Sequence, residues 1–124
     1  MNLILKKLFY KGQDSVLLLQ APAGLKHLAK DFGAKVHSQA RGRYGFILAF
    51  VKSLAEGEKL AKVLPKLLEE KAVVWVAYPK GTSKKYKSDY NRDRGHALME
   101  KHGFTGVSLV ALDGDWSAMR FKKD

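Results

Sequence analysis

The chain contains no cysteine, which excludes disulfides, thiol nucleophiles and zinc–thiolate sites and suits a reducing compartment. Proline is scarce, with three in the chain, and no stretch approaches the ~20 apolar residues of a membrane span. The opening MNLILKKLFYKGQ is apolar for only a few positions before Lys6 and Lys7 interrupt it. A secretory signal needs positive residues first and then an apolar run of ~7–15. A cytoplasmic protein without membrane attachment is expected.

Catalytic signatures are missing as well. There is no P-loop, HExxH, paired-carboxylate spacing or Gly-x-Ser-x-Gly elbow. His96 and His102 stand six apart on one predicted helix and so point to different faces, and no metal site is expected from them or from His27 and His37. Ser38, Ser53, Ser83, Ser88, Ser108 and Ser117 have no visible base and read as caps and turns. No catalytic residue and no cofactor is assigned from sequence.

Acidic residues are few, 12 against 23 Lys+Arg, giving a net charge of +11 and a pI of about 9.9. Such a balance points to an anionic partner, nucleic acid or another polyanion, or else to a surface that lysines keep soluble. With 124 residues, 46% of them hydrophobic, the chain can bury roughly two-thirds of its unfolded surface. One domain over residues 1–124 is expected.

Apolar runs set its architecture. Residues 15–20, SVLLLQ, read as a buried strand, and after Pro22 the spacing of Leu25, Leu28, Ala29 and Phe32 predicts a helix ended by Gly33. A short strand at 34–38 and a turn at Arg41-Gly42-Arg43 precede a central strand at 44–51, YGFILAFV. Ser53 and Glu56 have the spacing of a capping box, and a helix follows with Leu60, Val63, Leu64, Leu67 and Leu68 on one stripe. Pro65 predicts a kink or two abutting pieces there. Residues 72–78, AVVWVAY, form a third buried strand, 79–90 a polar loop and 91–102 a helix stopped by Gly103. Asp113-Gly114 between two strand-like runs signals a hairpin. The fold class is α/β: a Rossmann-like, mostly parallel sheet with helices on both faces and a C-terminal antiparallel hairpin.

On such a sheet a nucleotide is held where the first strand meets the first helix, by a glycine-rich turn. Here that turn reads Gln20-Ala21-Pro22-Ala23-Gly24, with one glycine and no GxGxxG, and Pro22 removes an amide. This counts against a standard dinucleotide, ATP or S-adenosylmethionine site. The cleft candidates are Gln20, Ala21, Pro22 and Gly24 with Tyr78 and Pro79.

The loop after the third long strand carries Lys80, Lys84, Lys85 and Lys87 with no acid among them, plus Thr82 and Ser83 as hydroxyl donors, and Arg92 and Arg94 follow. Ligands of open parallel sheets bind beyond strand carboxyl ends, and this loop leaves one. These eight residues are the anion-binding candidates. Tyr78, Tyr86 and Tyr90 interleave with the charges, as stacking on bases requires. A solvated loop that only prevents aggregation remains the plain alternative. Asp89 and Asn91 are candidate caps for the next helix, Asp93 a surface ion-pair partner, and Trp75 and Trp116 core residues.

The segments VVWVAYPKGTSKKYKSDYNRD (73–93) and LDGDWSAMRF (112–121) resemble a family of small bacterial domains of unknown function, marked by W-x-x-Y/W-P-K, D-x-x-x-D and a terminal D-x-x-W-S-x-x-R/K-F. VLLLQAPAG and YGFILAFVKS are similar to two further family segments, so the likeness runs from about residue 8 to 122. It implies a cut-down methyltransferase-like fold and no established activity. By position it singles out Ala21, Pro22, Gly24, Tyr78, Pro79, Lys80, Asp89, Asp93, Asp113, Trp116, Ser117, Arg120 and Phe121. Gln20 stands where the family has asparagine, and the lysines of 84–87 are this chain's own.

Three functions stay open. The leading expectation is a non-catalytic binding module that uses its basic loop on nucleic acid or a phosphate-bearing partner. The alternatives are a reduced S-adenosylmethionine-dependent enzyme and a protein–protein interaction domain using Leu3–Leu8 and Phe104–Leu112.

Overall fold

Two long apolar runs become the centre of the sheet because neither face of a central strand meets water. In a computed structural model, which describes residues 3–32 and 35–124, these runs are β1 (Ser15–Leu19) and β3 (Tyr44–Phe50). The remaining elements are α1 (Leu3–Lys7), a 3₁₀ turn (Ala23–Leu25), α2 (Leu28–Asp31), β2 (Lys35–His37), α3 (Leu54–Leu67), β4 (Leu68–Pro79), α4 (Arg92–Lys101), β5 (Phe104–Ala111) and β6 (Trp116–Lys123). The six strands lie in the order β2-β1-β3-β4-β6-β5. The first four are parallel, and the β5–β6 hairpin joins antiparallel to β4. The fold class expected from sequence is the one formed. No helix among the described residues is long and apolar enough to cross a membrane.

Alternate residues of each strand feed two cores. On one face Phe46, Leu48 and Trp75 pack with Leu5 and Leu8 of the N-terminal segment and Phe32. On the other, Ile47, Val74 and Val76 pack with Leu60 and Leu64 of α3 and Met99 of α4. Trp75 and Trp116 are both core, 0% and 1% exposed, and the Trp75 indole donates to the Leu8 carbonyl at 2.9 Å, fastening the α1 end to the sheet. The apolar stretch Leu3–Leu8 is therefore largely spent on the core, although Leu3 stays exposed. Of Phe104–Leu112, Phe104 and Leu112 are buried, while Val107 and Leu109 face solvent on the edge strand β5.

Two local expectations are corrected. The helix expected after Pro22 is instead a 3₁₀ turn and the single turn α2, because the apolar spacing supplies one face but too few residues to propagate a helix. The expected stop at Gly33 and the strand residue Ala34 lie outside the described residues. Pro65 does not split α3, which runs unbroken from Leu54 to Leu67; the proline lacks the amide that would bond the Ala61 carbonyl, and the helix ends two residues after it. Strand β4 then starts at once with Leu68 opposite Tyr44, and pairing resumes at Phe46 opposite Val73, so residues 69–72 are looped out, with Lys71 at φ 61°.

The hairpin turn forms as expected. Asp113 Oδ1 accepts the amides of Asp115 and Trp116, both at 2.8 Å, which fixes the turn the Asp-Gly pair signals. Asn91 caps α4, accepting from the Arg94 amide at 2.9 Å. Asp89 does not; it reaches across to the Leu54 amide at 2.8 Å and so helps Ser53, which accepts from Glu56, to cap α3. Losing a side-chain cap costs about 1 kcal/mol. Asp89→Ala and Ser53→Ala should each lower the urea midpoint accordingly, and Asp89→Ala should do so without fraying α4.

Helices α3 and α4 are clasped by Glu58, whose carboxylate lies 2.7 Å from His102 Nε2 and 3.8 Å from Lys101 Nζ. The hydrogen bond from His102 holds the Glu58 carboxyl below its ordinary value. A depressed carboxyl contributes stability above its unfolded pKa and loses it as pH falls through the folded one. The melting-temperature deficit of Glu58→Gln near neutrality should therefore shrink towards zero below about pH 4.

Candidate functional site at the strand carboxyl ends

From β1 the chain crosses to β2 on one side, while β3 lies on the other, so the connections diverge beyond the carboxyl ends of β1 and β3. Such a switch point opens a crevice. Here it is a cleft of about 1040 Å³, open to solvent. Its floor is made by the end of β1. Gln20 turns the chain in the left-handed region at φ 59°, and Pro22, extended at φ −66° and ψ 160°, starts the 3₁₀ turn. Ala21, Pro22 and Ala29 give an apolar wall. Ser38 and Gln39, just past β2, present a hydroxyl and an amide. Lys26, Lys52 and Glu56 supply the charge. Glu56 Oε1 accepts the Lys52 amide at 3.1 Å and completes the capping box one residue earlier than its spacing suggested.

Of the sequence candidates, Gln20, Ala21 and Pro22 line this cleft. Gly24 stands beside it, exposed, with open space where a Cβ would be. Tyr78 and Pro79 end β4 instead and border two smaller hollows of about 360 and 300 Å³ at the basic loop. Lys26, Ser38, Gln39, Lys52 and Glu56 were missed. They come from three separate stretches that only the sheet order brings together; the capping-box spacing marks Glu56 as a cap, and no motif marks any of the five as lining a cleft.

The loop 80–90 is folded back onto the same edge. The Ser83 hydroxyl, largely buried, donates to Asp115 Oδ1 at 2.8 Å and accepts the amides of Lys85 and Tyr86 at 3.2 and 3.1 Å. It is thus committed to shaping the loop, and Ser83→Ala should loosen it at a cost of about 1–3 kcal/mol. Ser88 Oγ donates to the Lys52 carbonyl at 2.8 Å, tying the loop to the β3–α3 junction. The Tyr86 ring rests on Trp116 at 5.0 Å, and both Lys52 Nζ and Lys85 Nζ stand over it, at 5.3 and 5.5 Å. Lys84, Lys85 and Lys87 are exposed, Lys80 is partly so, and none forms an ion pair among the described residues. Thr82 and Arg94 are exposed, and Arg92 pairs with Asp93 at 3.2 Å as expected.

The tyrosines do not form a stacking surface. Tyr78 and Tyr90 are 5% and 2% exposed and pack on each other at 5.3 Å. Burial raises both phenol pKa values above their ordinary range. Their apolar rings serve the α3–α4 core, which the alternation with lysines did not reveal. Ser117 and Arg120 lie on β6, and Asp113 and Trp116 hold the hairpin, so the family-motif residues are spread over the sheet and loop rather than gathered at one point. No group of three or more His, Asp or Glu is placed to hold a metal among the described residues.

No family model and no curated protein matches the chain. Solved structures do match. An S-adenosylmethionine-dependent methyltransferase from Aquifex aeolicus is similar with a TM-score of 0.70 and 15% identity, over 95% of this chain and 86% of that one. A ribosomal protein L11 methylase from Lactobacillus delbrueckii subsp. bulgaricus has a TM-score of 0.68 and 13% identity, over 98% and 76%. A fibrillarin pre-rRNA processing protein from Methanococcus jannaschii has a TM-score of 0.59 and 13% identity, over 91% and 67%. The chain has a methyltransferase-like Rossmann fold. At these identities the likeness is one of fold.

Proposed function

We propose that this chain is a reduced, S-adenosylmethionine-dependent methyltransferase-like domain that works through the cleft beyond β1 and β3. The observation that carries this reading is the position of the cleft: a crevice of about 1040 Å³ lies at the switch point of a methyltransferase-like sheet. It replaces the binding-only module as the preferred reading. The residues suit an adenosyl amino acid. Ala21, Pro22 and Ala29 offer an apolar wall for the purine, and Ser38 and Gln39 stand where groups that bond a ribose are needed. Lys26 and Glu56 answer the carboxylate and ammonium of the methionyl end. When bound, the group supplies a methyl on a sulfonium. Gln20 in the left-handed region does the turning that a glycine does in the usual fingerprint.

Isothermal titration with S-adenosylmethionine and S-adenosylhomocysteine tests this. A saturable heat is expected for the wild type and its loss for Ala23→Trp, which places an indole in the cleft from an exposed position. Absence of any saturable heat at about 1 mM ligand, a free energy weaker than roughly −4 kcal/mol, would overturn the reading.

A further inference from the structure

We infer that the edge bearing the basic loop is a track for single-stranded nucleic acid, held by its phosphates, with Lys52 joining that track to the cleft. Three observations support this. First, Lys80, Lys84, Lys85 and Lys87 carry no ion pair among the described residues, and the neighbouring acids are held elsewhere: Asp89 on the Leu54 amide and Asp115 on the Ser83 hydroxyl. Within residues 80–90 four lysines stand against the single acid Asp89, so the loop keeps an excess of positive charge. Second, its backbone is fixed by Ser83 and Ser88, so the lysines project from an ordered platform. Third, Lys52 belongs to both features. It lines the cleft, and its ammonium stands with that of Lys85 over Tyr86.

The composition of the patch selects the partner. Protein interfaces are depleted in lysine and anchored by exposed aromatics. Here Tyr78 and Tyr90 are buried and Tyr86 already carries two ammonium groups. A membrane surface would want apolar side chains to insert, and none of the exposed large hydrophobics lies within the loop. A dense, regular line of phosphates needs only the lysines. With no ring free to stack, the contacts are electrostatic and indifferent to base sequence. This binding does not require a ligand in the cleft, so it stands or fails separately from the enzyme reading.

The test is fluorescence anisotropy of the full chain with a labelled single-stranded oligouridine, without S-adenosylmethionine, across a salt series. The variant Lys84→Gln/Lys85→Gln/Lys87→Gln is compared with Lys59→Gln/Lys62→Gln/Lys66→Gln, which removes equal charge from exposed positions on α3. With about 0.7 counterions released per phosphate, three lost contacts should lower the salt slope by roughly 2 and the affinity near 0.1 M salt by roughly 100-fold. The α3 variant should change far less. Equal losses in both variants, no binding at low salt, equal displacement by polyglutamate, or equal transfer to anionic vesicles would each overturn the inference. Thermal melts matching the wild type confirm that both variants are folded.

Discussion

Gly95→Ala should destabilise the protein by about 1–3 kcal/mol, although alanine is the better helix former by roughly 1 kcal/mol. Gly95 lies inside α4 with the Tyr90 ring pressed against its backbone. A Cβ there would stand 2.3 Å from two ring carbons of Tyr90 and 2.5 Å from its hydroxyl oxygen. The ring cannot simply withdraw, because its other side meets Gly57 of α3, where a Cβ would lie 2.8 Å away. Tyr90 is thus clamped between two helices that both thin to backbone at the contact. Tyr90→Ala should itself cost about 3–5 kcal/mol, as deletion of a large buried ring does. The decisive result is a change of sign: in the Tyr90→Ala background, Gly95→Ala should become stabilising by up to about 1 kcal/mol. Urea unfolding of the four proteins measures this. A neutral or stabilising Gly95→Ala in the wild-type background would show that α4 shifts to make room and that the close approach is not a determinant of the fold.

Trp75→Ala should be the most damaging single change on the other face. Trp75 is fully buried near the middle of β4, and its indole donates to the Leu8 carbonyl. Losing the ring costs about 3–5 kcal/mol, a large share of the 5–15 kcal/mol that holds a typical domain together. Trp75→Phe separates packing from the hydrogen bond. It keeps a ring in the core, removes the donor at a buried carbonyl and should cost about 1–3 kcal/mol. Since that bond ties the α1 end to the sheet, Trp75→Phe should also speed tryptic cleavage at Lys6, Lys7 or Lys11 well before global unfolding. Cleavage at the wild-type rate with a lowered midpoint would show that α1 is retained by Leu5 and Leu8 packing alone.

Much of this architecture follows from local pattern. Continuous apolar runs at 15–20, 44–51 and 72–78, short and rich in β-branched and aromatic residues, suit strands covered on both faces, and they became β1, β3 and the buried part of β4. The Ser53–Glu56 spacing and Asp113-Gly114 act through atoms a few residues apart, so the α3 start and the hairpin were legible too. The basic loop and the turn Gln20–Gly24 were visible as composition. What these segments do to one another was not. Asp89 caps α3 rather than the nearby α4, and the tyrosines that alternate with lysines turn inwards.

The sequence by itself determined the long strands, α3, α4 and the closing hairpin with their order, the charge and the exclusion of thiol chemistry, because each depends on residue type or on neighbours within one or two turns. Only the tertiary structure decided the strand order, hence the switch point between β1 and β3. It alone brought Lys26, Ser38, Gln39, Lys52 and Glu56 into one cleft, and it alone set Lys52 beside Lys85 over Tyr86. Burial is satisfied by many strand orders; which distant side chains become neighbours is fixed when one order packs both helical layers without voids or unpaired backbone.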